Sequence, residues 1–350
     1  MSNDSRRRAS LSSFPLRLAG AFVASLLLLV AAAAVAYAAD LGHKDGPYVN
    51  GTGGISGSKP ESKLWFTNDG IWWGSIWDDV SQDFYIYKLD SATDSWVKTA
   101  TRLDDRKGTR ADTLWDGTHL YVASQLQSDS AAAGTNPARL YRFSYDSGTK
   151  TYTNDAGGTN PYATIRTGSK LETLVIAKDS VGTLWATWTE PSGSNRVVYT
   201  NHTQGGNDAS WTTGVALPVT GVTVGSDDIS SIVSFKQDAT HNAVGVFWSN
   251  QTDKKDYFAW HLDDAAPNAW TVQTALAPSS GNAAPADDHI NLKADSSGRV
   301  YAVVKNSNDT GGEPEIELLV RPAGGGSWSE SVVSTGNTHT RPIVLLDEAA

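Results

Sequence analysis

Five short stretches of this chain of 350 residues gather side chains able to do chemistry. Each lies just ahead of a run of strand-forming residues: Arg110-Ala111-Asp112, Lys170-Leu171-Glu172, Asp227-Asp228, Asp287-Asp288-His289 and His339-Thr340-Arg341. Two carboxyls about 5–9.5 Å apart, one with a raised pKa, would hydrolyse a glycosidic bond. Asp112 with Glu172, or Asp228 with Asp288, are the candidate pairs. A histidine base beside a cation that holds a substrate carboxylate would serve elimination, and His289 or His339 with Arg341 matches that set. Clustered oxygens at Asp227-Asp228 or Asp287-Asp288 would suit calcium. The regular calcium-loop spacing is absent, so no cofactor is expected beyond that weak signal. The plain alternative is that an Asp before a strand shapes a turn by bonding its own backbone. Recurrence at one position of a repeat is what sets these residues apart, as ligand-binding candidates with no catalytic role assigned.

The elements that must position them repeat. From Asp227 to Leu276 four runs follow one another: Ile229 to Phe235, Val244 to Trp248, Tyr257 to Leu262 and Trp270 to Leu276. They alternate with a period of two and are joined by Asp- and Asn-rich turns, the pattern of a four-stranded antiparallel meander. An aromatic ahead of each fourth strand recurs as Trp96, Tyr152, Trp211, Trp270 and Trp328, at steps of 56, 59, 59 and 58 residues. The first turn recurs as Asp116-Gly117, Asp179 to Gly182 and Asp295 to Gly298, with a shorter Asp69-Gly70 in the first unit. A four-strand unit at this period predicts an all-β fold, a β-propeller. The five full blades are expected at 63–101, 108–152, 169–217, 227–276 and 287–333. A sixth repeat starts at His339 and covers only a first strand, so the sequence predicts a ring left open at blade six or a truncated sequence.

Residues 1–38 have the build of a targeting segment. Arg6, Arg7, Arg8 and Arg17 precede an apolar run from Leu18 to Ala39, and Ala36-Tyr37-Ala38 suits cleavage. Cleavage after Ala38 is expected, with retention as a membrane anchor as the alternative. Either way the propeller is expected outside the cytoplasm, secreted or at the cell surface. Residues 39–62 form a glycine-rich lead-in. The chain has no cysteine, which removes disulfides and thiolate chemistry. Without residues 1–38 it carries 24 basic and 37 acidic side chains, a net charge of −13. That field disfavours nucleic acid and anionic membrane surfaces as partners.

The turns between third and fourth strands resemble the Asp-box of the sialidase-like (BNR) propeller superfamily, Ser-x-Asp-x-Gly-x-x-Trp. Ser144-Tyr145-Asp146-Ser147-Gly148-Thr149-Lys150-Thr151-Tyr152 approximates it, ending in Tyr one residue late, and Asp90 to Trp96 is a further degenerate copy. The resemblance covers roughly residues 63–347. It implies carbohydrate recognition or cleavage outside the cell, and an extracellular glycan as partner. Arg110 and Arg341 stand at mouth positions, but no Arg-Ile-Pro motif exists and the third arginine and Tyr–Glu pair of sialidases cannot be assigned residue by residue, so sialidase activity is not expected. Three functions follow as expectations: a glycan-binding propeller, a polysaccharide hydrolase or lyase, and a structural cell-surface protein.

Overall fold

The computed structural model describes residues 59–126, 136–155, 161–167, 170–308, 311–336 and 338–348. The expected targeting segment, most of the lead-in and most of a polar insertion at 128–137 lie outside the described residues. Strand-forming residues organise into five antiparallel sheets, with no helix among the described residues. Blade one is β1 (Leu64–Phe66), β2 (Trp72–Asp78), β3 (Asp83–Asp90) and β4 (Ser95–Arg102). Blade two is β5 (Arg110–Trp115), β6 (His119–Gln125), β7 (Ala138–Asp146) and β8 (Thr151–Asn154), with β9 (Ala163–Arg166) added beside β7. Blade three is β10 (Glu172–Lys178), β11 (Leu184–Ser192), β12 (Asn195–Gln204) and β13 (Asn207–Trp211), with β14 (Val215–Ala216) and β15 (Thr223–Val224) also on β12. Blade four is β16 (Ser230–Lys236), β17 (Asn242–Asn250), β18 (Lys255–Leu262) and β19 (Thr271–Leu276). Blade five is β20 (Ile290–Ala294), β21 (Val300–Lys305), β22 (Ile316–Arg321) and β23 (Ser329–Ser334). Each sheet keeps its strands in chain order, and the first strands β1, β5, β10, β16 and β20 adjoin in that succession. This is a β-propeller.

The turns explain the sharp reversals. In blade three Asp179 Oδ1 accepts hydrogen bonds from the Val181 and Thr183 N–H groups, and Oδ2 accepts from Trp185 Nε1 at 2.9 Å. In blade five Asp295 does the same for Arg299 N–H and the Tyr301 hydroxyl. One carboxylate thus fixes both the turn and the aromatic that follows. The Asp-box-like turns sit where expected, between β3 and β4 and between β7 and β8. Asp146 Oδ1 accepts from Gly148 and Thr149 N–H groups, and Asp90 Oδ1 from Ala92 N–H.

Four apolar clusters fill the seams, each shared by two consecutive blades. Each includes the fourth-strand aromatic of the later blade, turned back onto the earlier one. Tyr152 meets Trp65 and Trp73 of blade one, and its hydroxyl accepts from Trp65 Nε1 at 2.8 Å. Trp270 meets Trp185 of blade three, and Trp328 meets Phe247 and Phe258 of blade four. Trp96 belongs to none of the four clusters.

Residues 59–62, the described end of the lead-in, run inside the ring. Ser62 N–H donates to Asp112, and Ser62 O accepts from Thr113 N–H. Lys293 Nζ on β20 reaches Ser62 Oγ at 3.3 Å. At the other end, residues 338–348 lie against blade five, where Val344 N–H donates to Asn291 Oδ1 and Ser296 N–H to Glu348. The expected first strand of a sixth repeat therefore takes the position next to β20 without forming a regular strand.

Candidate binding site at the mouth of the ring

Strands in each blade alternate in direction, so the residues ahead of every first strand collect at one end of the ring. Lys59 lies at the centre of that mouth. Its Nζ donates to Glu172 Oε1 of blade three at 3.1 Å and to Asp288 Oδ2 of blade five at 2.5 Å. All three side chains are nearly buried, at 10, 12 and 17% exposure. Arg196 stands 3.9 Å from the other Glu172 oxygen. Beyond Asp288, His289 Nδ1 lies 2.7 Å from both Asp287 Oδ1 and Asp288 Oδ1, and Lys305 Nζ donates to Asp287 Oδ2 at 2.7 Å. His289 Nε2 is buried and meets no partner among the described residues.

The electrostatics follow from these contacts. Burial alone would raise the Asp288 carboxyl, yet His289 and Lys59 hold it well below the usual carboxylate range. Burial works against charge on Lys59 and His289 as well, and their carboxylate neighbours outweigh it and raise both pKa values. One oxygen each of Asp287 and Asp288 and one His289 nitrogen lie within 4.8 Å of one another, the spacing of a metal site. The ammonium groups of Lys59 and Lys305 already supply positive charge to both carboxylates there.

Other candidates are fasteners. Asp112 is buried between blades two and three, where Oδ1 accepts from Ser62 N–H at 2.5 Å and Oδ2 from Ile176 N–H at 2.9 Å. Burial pushes its carboxyl up to about 7. Asp228 is buried too, accepting from Gly225 N–H, Gln251 N–H and Ser249 Oγ. Its neighbour Asp227 is exposed and accepts from the Gln251 side-chain amide. Asp112 is therefore held in the seam between blades two and three rather than beside Glu172 and Asp288, whereas Asp228, at the mouth end of blade four, is buried with its oxygens taken by donors of its own blade. Those donors occupy both Asp228 oxygens that calcium at Asp227-Asp228 would need.

His339 does not join His289, and Arg341 is exposed two residues further along the chain. His339 bonds Glu315 and Ser334 Oγ, at the ends of β22 and β23. That is two strands out from β20, roughly 10 Å at the usual strand spacing. Arg110 and Lys170 stand at the starts of their blades' first strands, and the Lys170 carbonyl accepts from Arg196. Trp73 and Trp77 are core, while Trp72 is 46% exposed and rests on Phe66 at the far end of β1. None of these three rings is exposed at the mouth. Lys59, Arg196 and Lys305 were missed by sequence reasoning. The only signal was a lysine before Pro60 in a chain whose mouth loops are acidic.

A shallow depression of about 370 Å³ opens at the opposite end, between the Asp116 and Asp179 turns. Lys178 already spans it, donating to Asp116 and to the Tyr121 hydroxyl.

No known protein family's profile matches the chain, and no curated protein matches it either. Among solved structures it is similar to the polysaccharide lyase Uly1, at 11% identity and a TM-score of 0.47 over 85% of this chain and 77% of that one. It is similar to an α-L-arabinofuranosidase from Lactobacillus brevis, at 13% identity and a TM-score of 0.43 over 76% and 92% of the two chains. A third is a lectin of Aleuria aurantia in complex with Fucα1-6GlcNAc, at 14% identity and a TM-score of 0.44 over 78% of each chain. At these values no residue role is carried across.

Proposed function

We propose that the chain is an exported propeller whose mouth binds a glycan of neutral or weakly charged character. The observation that carries this reading is the tie across the axis, Lys59 between Glu172 and Asp288. It sets charged donors and acceptors from three parts of the chain within one opening, already oriented. Paired carboxylates and ammonium groups make strong hydrogen bonds to vicinal hydroxyls. Trp77, the ring of blade one nearest this end, is buried in the core, so recognition rests on hydrogen bonds rather than on ring stacking. The net charge of the mature chain argues against a polyanion.

A second reading, a polysaccharide lyase or hydrolase, is favoured by one feature. His289 is gripped at Nδ1 by two carboxylates and leaves Nε2 without a partner, the arrangement that orients a histidine for proton transfer. Nε2 is buried, so this chemistry requires the mouth to open. A glycan array probed with the purified protein and with Lys59→Ala separates the possibilities. Retained ligand that is lost in Lys59→Ala supports binding. New reducing ends or unsaturated products, abolished by His289→Gln, would replace it with the enzyme. Neither binding nor product would remove both.

A further inference from the structure

One residue beside the mouth breaks a local rule. Thr173 holds φ at 49°, a left-handed backbone that a β-branched side chain takes only under constraint. It is buried, and its hydroxyl meets no partner among the described residues, so nothing local favours the conformation. Lys170, three residues earlier, is left-handed as well, at 63°. Gln82, Asp94, Lys150 and Lys254 share this backbone but lie in hairpin turns, whereas Thr173 lies within β10.

The strain comes with an extra residue in the strand. β10 pairs with β11 as Leu174 opposite Trp188 and then Glu172 opposite Thr189, so Thr173 is a bulge with no partner of its own. The other four blades pair their first and second strands without such a shift. A regular ladder would set Glu172 opposite Glu190, on the face of Leu174. That face packs into the apolar cluster shared with blade two, and Glu190 already pairs with Arg166. One inserted residue reverses the facing of what precedes it. Glu172 therefore leaves the seam and meets Lys59 at 3.1 Å, with Arg196 3.9 Å from its other oxygen.

Two buried side chains hold the bulge. Gln125, at the end of β6 in blade two, donates to the Leu171 carbonyl at 3.2 Å and accepts from Thr173 N–H at 3.1 Å. A bulge takes backbone groups out of the ladder, and buried ones need such partners. Arg196 donates to the Lys170 carbonyl at 2.5 Å and to the Thr189 carbonyl at 2.9 Å. The strained backbone is thus maintained from outside its own segment, as at sites where strain serves function. We propose that Thr173 is the positioning residue of the mouth, its left-handed bulge turning Glu172 out of the seam with blade two and onto Lys59. Its part in ligand recognition rests on the glycan-binding reading above; the placement of Glu172 does not.

Amine acetylation of the native full chain, read at each lysine by mass spectrometry, tests the placement without any ligand. In the wild type Lys59 should be protected relative to the exposed Lys254. Deleting Thr173 makes the ladder regular and should raise Lys59 labelling roughly tenfold, the change that one pKa unit of lost charge pairing gives. Thr173→Gly takes the left-handed backbone freely and should keep the protection. Should the deletion not fold, Gln125→Leu, which removes both bonds to the bulge, should expose Lys59 in its place. Protection kept in the deletion, or in Gln125→Leu where that variant carries the test, would overturn the role, as would protection lost in Thr173→Gly. Lys63, bonded to the Ala111 carbonyl, should stay protected throughout. Its labelling together with Lys59 would assign the change to a loosened ring and overturn the role too. On the glycan array, the deletion should lose the ligand that Thr173→Gly retains. No ligand on the wild type, with Lys59 labelled only once the bulge is gone, would remove the glycan reading and leave the positioning role standing.

Discussion

At the scale of single residues, Asp112 shows how a chemically promising side chain is used for architecture. Its two oxygens accept backbone N–H groups from the lead-in and from blade three, so it joins three parts of the chain. Because its folded pKa lies near 7, above the ordinary 3.8, the folded state holds a proton that the unfolded state releases between those values. Its contribution to stability is therefore full below about pH 4 and declines as pH rises through 7. Asp112→Asn should cost about 1–3 kcal/mol at pH 5, where the amide cannot accept from both N–H groups. By pH 8 the cost should shrink by up to roughly 3 kcal/mol, as read from urea unfolding of both proteins. Sequence made Asp112 visible as an acidic residue ahead of a strand. It could not show that the partners are Ser62 and Ile176, because those lie 50 and 64 residues away and are met only through packing. Glu172, Asp288 and His289 were legible as mouth residues for the opposite reason, since the repeat alone carries them to one end.

At the scale of elements, the turns were the most legible feature and one of them does more than reverse the chain. Gly117, Gly182 and Gly298 hold equivalent positions with φ near 90°, a region that side chains other than glycine rarely adopt. A Cβ on Gly117 would meet nothing within 4 Å, whereas one on Gly298 would lie 2.0 Å from the Lys236 carbonyl of blade four. Gly117→Ala should therefore cost only the backbone strain, about 1–2 kcal/mol. Gly298→Ala should cost more, about 2–4 kcal/mol, because the blade-five turn can no longer close onto blade four. Paired urea midpoints would check the difference, and equal costs would mean that the close approach is unimportant. The repeat gave the turn, but only the structure shows which copy touches its neighbour.

At the scale of the whole molecule, the propeller is built from seams rather than from one central core, and each seam is sealed from the later blade. Trp328→Ala should cost about 2–4 kcal/mol, since it empties contacts with Phe247 and Phe258. Trp96→Ala should cost far less, because that residue joins no seam cluster. Thermal unfolding of the two variants would test whether the fourth-strand aromatics act as seals. The repeat period made the ring legible at once, and the aromatic spacing marked the seals without showing which way they point.

That backward reach has a consequence for how the protein is made. A sheet leaving the ribosome has one bare flank until the last strand of the following sheet has also emerged, some 58 residues later. The nascent chain should therefore gain protection in steps, each lagging synthesis by one repeat, and pulse-labelled hydrogen exchange on stalled chains would see the lag directly.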